Sequence, residues 1–500
     1  MITVYFLLSC LILNVLNADF INDDYIIKND DYIINLPGLS EDLQSLHQFS
    51  GYLNVSTTKK IHYWFVQSES DPINDPLVFW TNGGPGCSGL LGLLTEQGPF
   101  KPDKNLNLIP NEWRWNKIAN MVFVEQPVGV GYSYSTNSND YHIGDDQAAK
   151  DNLQLILSFL EKYPEYKKNP LFITSESYGG HYMPTWAKEI VNYNKKQSNE
   201  LKINFKGFAV GNPYIDYYSG IGAEMEALNA RNMLPKPSWD KYISSGCTDY
   251  NIINNSVCSS LILEFTKITS NSNPYALDYP TCVSAQQVWM SDYLYERKKS
   301  NTNIPHQNIP LGDDYEQAKN KNNVFYFTPT LSKKNPKILL DYEPCEDNYA
   351  TNYMNHPDVK KALNVKPEIL WDECSTTIKY SLIDKSKSIK HIYKELLDDK
   401  EANIRILIYS GDDDGVCATS YTQYFVFDFL NYKVKPDSYW NLWKVDSQTA
   451  GYITEFDTPW TKESRLAFST VHFAGHEVPT YKPKEAFVLF NAFINNNYKL

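Results

Sequence analysis

Ser177 stands in the run Leu171-Phe-Ile-Thr-Ser-Glu-Ser177-Tyr-Gly179-Gly-His-Tyr-Met-Pro184, where an apolar stretch ends in a turn of small residues. A hydroxyl attacks a carbonyl only when a base takes its proton, and a sharp strand-to-helix turn exposes a serine Oγ to do so. In that geometry the next peptide NH, from Tyr178, points at the oxygen that gains charge. Ser175 occupies the place where such a turn usually has its first glycine, and serine is the mildest replacement. The base and its orienting acid have candidates downstream. His476 lies in Ala474-Gly-His476-Glu-Val-Pro479, and a run of aspartates occurs in Ser410-Gly-Asp412-Asp-Asp414-Gly.

These groups need a scaffold that presents them from separate loops. Apolar, β-branched or aromatic runs bounded by turn residues predict buried strands at Leu77 to Trp80, Met121 to Val124, Leu171 to Thr174, Phe208 to Val210, Ile404 to Tyr409 and Phe468 to Phe473. Between the second and third, Ala149, Leu153, Ile156, Leu157 and Leu160 follow helical spacing, which predicts an amphipathic helix over Asp145 to Tyr163. Another is expected over Lys484 to Ile494, with Pro483 suited to its first turn. Alternating strands and helices predict an α/β sheet. Ser177, the aspartates and His476 all follow predicted strands, and their order, Ser, Asp, His, is that of the α/β-hydrolases. From about Tyr217 to Lys337 the alternation is lost, so residues 217–337 are expected to form a cap inserted between core segments 19–216 and 338–500. Its later part, 296–337, is rich in Lys and Asn and reads as an exposed segment, open to cleavage.

Other chemistries fit less well. Asn82-Gly-Gly-Pro-Gly-Cys-Ser88 is glycine-rich but has no Lys-Ser/Thr to hold phosphates. Asp412-Asp-Asp-Gly415 lacks the later ligands and closing Glu of a calcium loop. His472 and His476 are four apart, but Gly475 and Pro479 break the helix that a metal pair needs. Over 500 residues, 46 Lys+Arg against 59 Asp+Glu give a net charge of −13, which argues against nucleic acid as a partner.

Residues 1–18 are uncharged and carry an apolar run, Val4 to Leu16, too short to cross a bilayer of about 30 Å. They read as a signal peptide, and no later stretch suggests a membrane anchor. Removing Cys10 leaves seven cysteines, enough for three disulfides and one free thiol in an oxidising compartment. Asn54-Val-Ser and Asn254-Asn-Ser are candidate glycosylation sites.

Together these segments resemble the serine carboxypeptidase family, acidic-pH enzymes of lysosomes, vacuoles and secretions. The resemblance begins at Phe49-Ser-Gly-Tyr-Leu and runs through Pro76-Leu-Val-Phe-Trp80-Thr-Asn82-Gly-Gly-Pro-Gly-Cys87-Ser88, Glu96-Gln-Gly-Pro-Phe100 and Glu125-Gln-Pro-Val-Gly-Val-Gly-Tyr-Ser133. The Ser177 turn, Val210-Gly-Asn-Pro213, Trp371-Asp-Glu-Cys374-Ser, Ser410-Gly-Asp-Asp-Asp414 and Gly475-His-Glu-Val-Pro479 follow in the family's order.

The resemblance implies an α/β-hydrolase fold with a mostly parallel central sheet and a mainly helical cap. It assigns Ser177 as nucleophile, Asp414 rather than Asp412 or Asp413 as acid, and His476 as base. The backbone NH groups of Gly84 and Tyr178 become the oxyanion hole. Asn82, Glu96, Glu176 and the Gly83 NH are implied to grip the substrate's terminal carboxylate, supported by Trp80. Two adjacent carboxyls cannot both ionise cheaply, so one should keep a proton and donate it, favouring acidic pH. The resemblance also implies disulfides Cys87–Cys374, Cys247–Cys258 and Cys282–Cys345, with Cys417 free, and no metal or cofactor. Peptide C-termini are the expected substrates, and a homodimer is compatible with it. An acyltransferase, in which an alcohol replaces water, or a lysosomal protective partner are the alternatives on this scaffold.

Overall fold

A computed structural model describes residues 29–247, 255–282, 342–461 and 465–500. The leader, Asn254 and the 296–337 tract lie outside the described residues. The central sheet has twelve strands. Its main path uses β1 (Gln48–Asn54), β2 (Lys59–Val66), β3 (Leu77–Thr81), β4 (Asn120–Val124), β5 (Leu171–Glu176), β6 (Phe205–Gly211), β7 (Arg405–Gly411), β8 (Lys433–Val434), β10 (Gln448–Asp457) and β11 (Leu466–Val471), while β9 (Asn441–Val445) pairs with β10 and the two-residue strand Tyr134–Ser135 with β2. The spatial order is β1-β2-β4-β3-β5-β6-β7-β11-β10-β8. Pairing is parallel from β4 through β11 and antiparallel at both margins. The parallel expectation thus describes the centre, and the sheet as a whole is mixed.

The central strands are buried on both faces, so alternate residues serve two cores. Leu77 and Phe79 of β3 join the cluster that includes Phe159 and Trp186, whereas Val78 and Trp80 join that of Phe490 and Phe493. The first is covered by α1 (Asp145–Lys162) and α2 (Gly179–Lys195), the second by the C-terminal helix Pro483–Asn495. The expected face of α1 is mostly correct, but Leu157 is only half-buried while Leu155 and Phe159 are fully covered. Truncating Phe79, which meets Trp186 at 6.2 Å between ring centres, would cost about 3–5 kcal/mol.

Strands β6 and β7 are parallel neighbours, yet the chain leaves the sheet between them. The excursion contains helices α3 (Tyr217–Ala230), α4 (Lys236–Ser244) and α5 (Ser256–Ile268). They share a small core that includes Leu228, Tyr242, Leu261 and Phe265, and the Cys247–Cys258 disulfide ties α4 to α5. The Asn255 side chain accepts from the Val257 NH at 3.0 Å and so caps α5. The last strand differs from expectation. It ends at Val471, because Asp412 draws the next two residues into a turn: its carboxylate accepts from His472 Nδ1 at 2.6 Å and from the Phe473 NH at 2.8 Å. Phe473, with φ 59°, is half exposed.

Candidate active site

The carboxyl ends of β5, β7 and β11 carry the three residues expected to do chemistry. Ser177 follows β5 directly, with φ 56°, a left-handed conformation that costs a non-glycine residue on the order of 1 kcal/mol. The turn is held by the Ser177 NH donating to Gly211 O at 3.0 Å and by Ser177 O accepting from Tyr214 NH at 2.8 Å and Gly180 NH at 2.9 Å. Ser175 is accommodated by Gly179: a Cβ there would lie 2.2 Å from Ser175 Oγ. Ser177 itself is half-buried, while Tyr178 is 2% exposed.

The three consecutive aspartates have separate tasks. Asp414 is buried and accepts from His476 Nδ1 at 2.7 Å, Asn212 Nδ2 at 2.8 Å, the Val416 NH at 2.7 Å and the Cys417 NH at 3.1 Å. Asp413 faces the other way and receives Arg231 Nη2 at 2.8 Å and the Asp278 NH at 3.0 Å. Asp412 holds the half-exposed His472. Only Asp414 can therefore orient the His476 ring among these three. His476 is almost fully buried; its NH donates to Tyr275 O at 2.6 Å, and the Tyr275 ring meets its own edge-on at 5.0 Å. Tyr275, Asn212 and Arg231 were not expected as site residues. Asn212 sits inside the quoted Val210-Gly-Asn-Pro213 segment, but Tyr275 and Arg231 carry no local signal.

Against Ser177 lies the glycine loop after β3. A Cβ on Gly83 would stand 2.5 Å from Tyr178 N and 2.7 Å from Ser177 Cβ, so only glycine allows the loop and the elbow to abut. Gly84 follows with φ +112°. Cys87 of this loop is bonded to Cys374, 287 residues away. Cys282 pairs with Cys345, and Cys417 is free and buried. Burial, then the Asp414 charge, pushes the Cys417 thiol well above its ordinary range, so it is a neutral group and no competing nucleophile.

The neighbouring carboxyls form a sealed polar cluster. Asn82 Oδ1 accepts from Trp80 Nε1 at 2.8 Å and the Gly92 NH at 3.0 Å, which fixes the amide's orientation. Its Nδ2 then donates to Glu96 Oε1 at 2.7 Å and Glu176 Oε1 at 2.8 Å. Neither Oε2 has a hydrogen-bond partner among the described residues, and each carboxyl feels the other's charge or proton. Burial raises Glu96 to about 7, and burial together with the Glu96 charge raises Glu176 well above the ordinary carboxylate value. Both carboxyls are raised, so the pair as a unit keeps a proton more readily than separate carboxylates would. Glu96 lies in a π-helical turn, Gly92–Glu96, tied to the region after His476 by Thr480 Oγ1 donating to Thr95 O at 3.1 Å. The turn that carries Glu96 is thus joined by a direct contact to the segment that follows His476.

Asn54 is exposed at the end of β1. No described helix is long and apolar enough to cross a membrane.

Comparison with known proteins places this geometry in context. Residues 37–496 match the family model described as serine carboxypeptidase. Serine carboxypeptidase 24 of Arabidopsis thaliana is 35% identical over 487 residues, covering 93% of this chain and 92% of its own. The lysosomal protective protein of Mus musculus is 35% identical over 485 residues, covering 93% and 94%. Among solved structures, a prohormone-processing carboxypeptidase from Saccharomyces cerevisiae, Kex1, superposes with a TM-score of 0.67 at 19% identity, over 93% of this chain and 96% of that one, which supports the fold. The chain therefore belongs to the serine carboxypeptidase family, the serine-type carboxypeptidases of the α/β-hydrolase fold.

Proposed function

We propose that this chain removes single amino acids from peptide C-termini in acid, through Ser177, His476 and Asp414. His476 takes the Ser177 proton as Oγ attacks the last peptide carbonyl, and the NH groups of Gly84 and Tyr178 hold the oxyanion. His476 then protonates the leaving amine, and water, deprotonated by the same ring, releases the acyl group from Ser177. Asp414, fully supplied with donors, keeps the imidazole oriented through Nδ1.

One observation carries the exopeptidase reading: Asn82 bridges two buried glutamates whose outer oxygens lack other donors, beside the Ser177 elbow. A proton held on the glutamate pair supplies a donor to an incoming carboxylate, as does the Gly83 NH, and Asn82 Nδ2 joins them by exchanging one of its two glutamate bonds. Trp80 supports the arrangement by holding Asn82. Full ionisation would set two negative charges against the substrate's own. Helices α3–α5 act as a cap within 217–337, between core segments 19–216 and 338–500. Three disulfides, the apolar leader and a relative named lysosomal protective protein support a route through the secretory pathway to a lysosome, a vacuole or secretion.

The test incubates purified protein with an N-blocked dipeptide and its C-terminal amide between pH 4 and 8, beside Ser177→Ala. Free amino acid is expected from the acid substrate, most below neutrality and none from the variant. Equal turnover of acid and amide at every pH would overturn the carboxylate-pair argument.

A further inference from the structure

A second buried aspartate–histidine pair lies beneath the site. Asp145, the first residue of α1, accepts from His181 Nδ1 at 2.9 Å through Oδ2 and from the hydroxyls of Tyr178 at 3.0 Å and Tyr380 at 2.6 Å through Oδ1. His181 is fully buried, stacks on Tyr178 at 4.5 Å and 19°, and has no partner for Nε2 among the described residues. Its Nδ1 is therefore the donor to Asp145. Asp145 carries charge despite its burial. Desolvation alone would raise it, but the bonds from His181, Tyr380 and Tyr178 outweigh that and hold it below the ordinary range. Its place in the first turn of a helix adds to the same preference.

The contacts of this carboxylate reach both walls of the oxyanion hole. Tyr178 supplies one NH, and its side chain ends on Asp145. The other wall, the Gly83–Gly86 loop, is held by the Gly86 NH donating to Tyr182 Oη at 3.1 Å. Tyr182 in turn packs against the Tyr380 ring, edge-on at 6.4 Å between ring centres, and Tyr380 ends on Asp145 as well. A third link comes from Asp384, whose carboxylate accepts the Asp145 NH at 3.1 Å.

We propose that Asp145 is the positioning residue of the oxyanion hole, one buried carboxylate that fixes the Tyr178 wall directly and the Gly84 wall through Tyr380 and Tyr182. The inference rests on the assignment of the Gly84 and Tyr178 NH groups as oxyanion donors. Donors that are fixed before the reaction need no rearrangement as charge develops, and displacement of either weakens a contact made only in the transition state. Loss of Asp145 should therefore lower kcat and leave KM nearly unchanged.

The full-length chain carrying Asp145→Asn, Tyr178→Phe or Tyr380→Phe is assayed on the N-blocked dipeptide, with functional sites counted by a fluorophosphonate that labels the nucleophile. Per labelled site, kcat should fall about 10- to 100-fold for Asp145→Asn and severalfold for each phenylalanine variant, with KM within about twofold. Asp145→Asn with Tyr178→Phe should be little worse than Asp145→Asn alone, since both remove one shared contact. A scaffold role without positioning would reduce the labelled fraction or the melting temperature and leave kcat per site intact; that result overturns the proposal. If Asp145→Asn does not fold, the two phenylalanine variants decide, and kcat per site within twofold of the parent in both overturns it. A parent that releases no amino acid would instead remove the carboxypeptidase reading on which the inference rests.

Discussion

Two buried aspartate–histidine pairs lie close to Ser177, and their geometry is nearly the same: 2.7 Å from His476 to Asp414 and 2.9 Å from His181 to Asp145. What differs is the setting of the ring. His476 sits on a loop at the carboxyl end of β11, where its ring meets that of Tyr275 edge-on and its backbone NH donates to Tyr275 O. His181 sits inside α2, stacked on Tyr178 and Tyr214, with its second nitrogen buried and without a hydrogen-bond partner among the described residues. A carboxylate that orients an imidazole makes a base only where the far nitrogen can reach a proton in transit. Elsewhere the same contact is a brace. The half-exposed His472–Asp412 pair, at 2.6 Å, is a third case, which shapes the turn after β11 at the surface.

The comparison sets an order of effects. Asp414→Asn should cost roughly 10⁴-fold in kcat, since the His476 tautomer is lost, and His476→Ala as much or more. Steady-state release of amino acid checks it, and a loss under a hundredfold would assign the orienting role elsewhere. Asp145→Asn comes next, as a kcat effect between one and two orders of magnitude. Asp412→Asn should change activity by less than twofold and stability by no more than about 1 kcal/mol, because the pair is solvent-screened. A larger change would make the surface pair part of the site.

Two predictions turn on Glu96 and Glu176. KM for the free-acid peptide should rise on the order of tenfold per pH unit once pH passes about 7, and the amide should show no such rise. Glu96→Gln, a permanent donor, should flatten that slope. Stability moves in the same direction. A carboxyl raised in the folded state leaves stability unaffected below its unfolded value of 4.5, then costs stability as pH climbs toward the folded value. For Glu96 alone the cost approaches about 3 kcal/mol above pH 7, so the melting temperature should fall from pH 5 to pH 8, less steeply in Glu96→Gln.

The elbow and the central strands were legible because their signals are local: an apolar run, then Ser-Glu-Ser-Tyr-Gly. The sheet's margins were not, since β8 has only two residues and β10 has exposed ends, and neither forms a continuous apolar run. Phe473 looked like strand by composition, but a side chain sixty residues earlier turns it outward. Asp145 was expected only as the start of a helix. Its function depends on residues 178, 181 and 380, which no spacing rule joins. Among Asp412, Asp413 and Asp414, spacing alone named a run and the family resemblance picked Asp414, which is the one that meets His476 because of how the backbone turns after Gly411.

The bonds between residues 274–278 and the catalytic loops have one more implication. Tyr275 O accepts the base's NH, Pro274 O accepts the Gly415 NH, and Asp413 receives both Leu277 and Asp278. This stretch is less a door than a doorframe: swinging it away would release the base it braces.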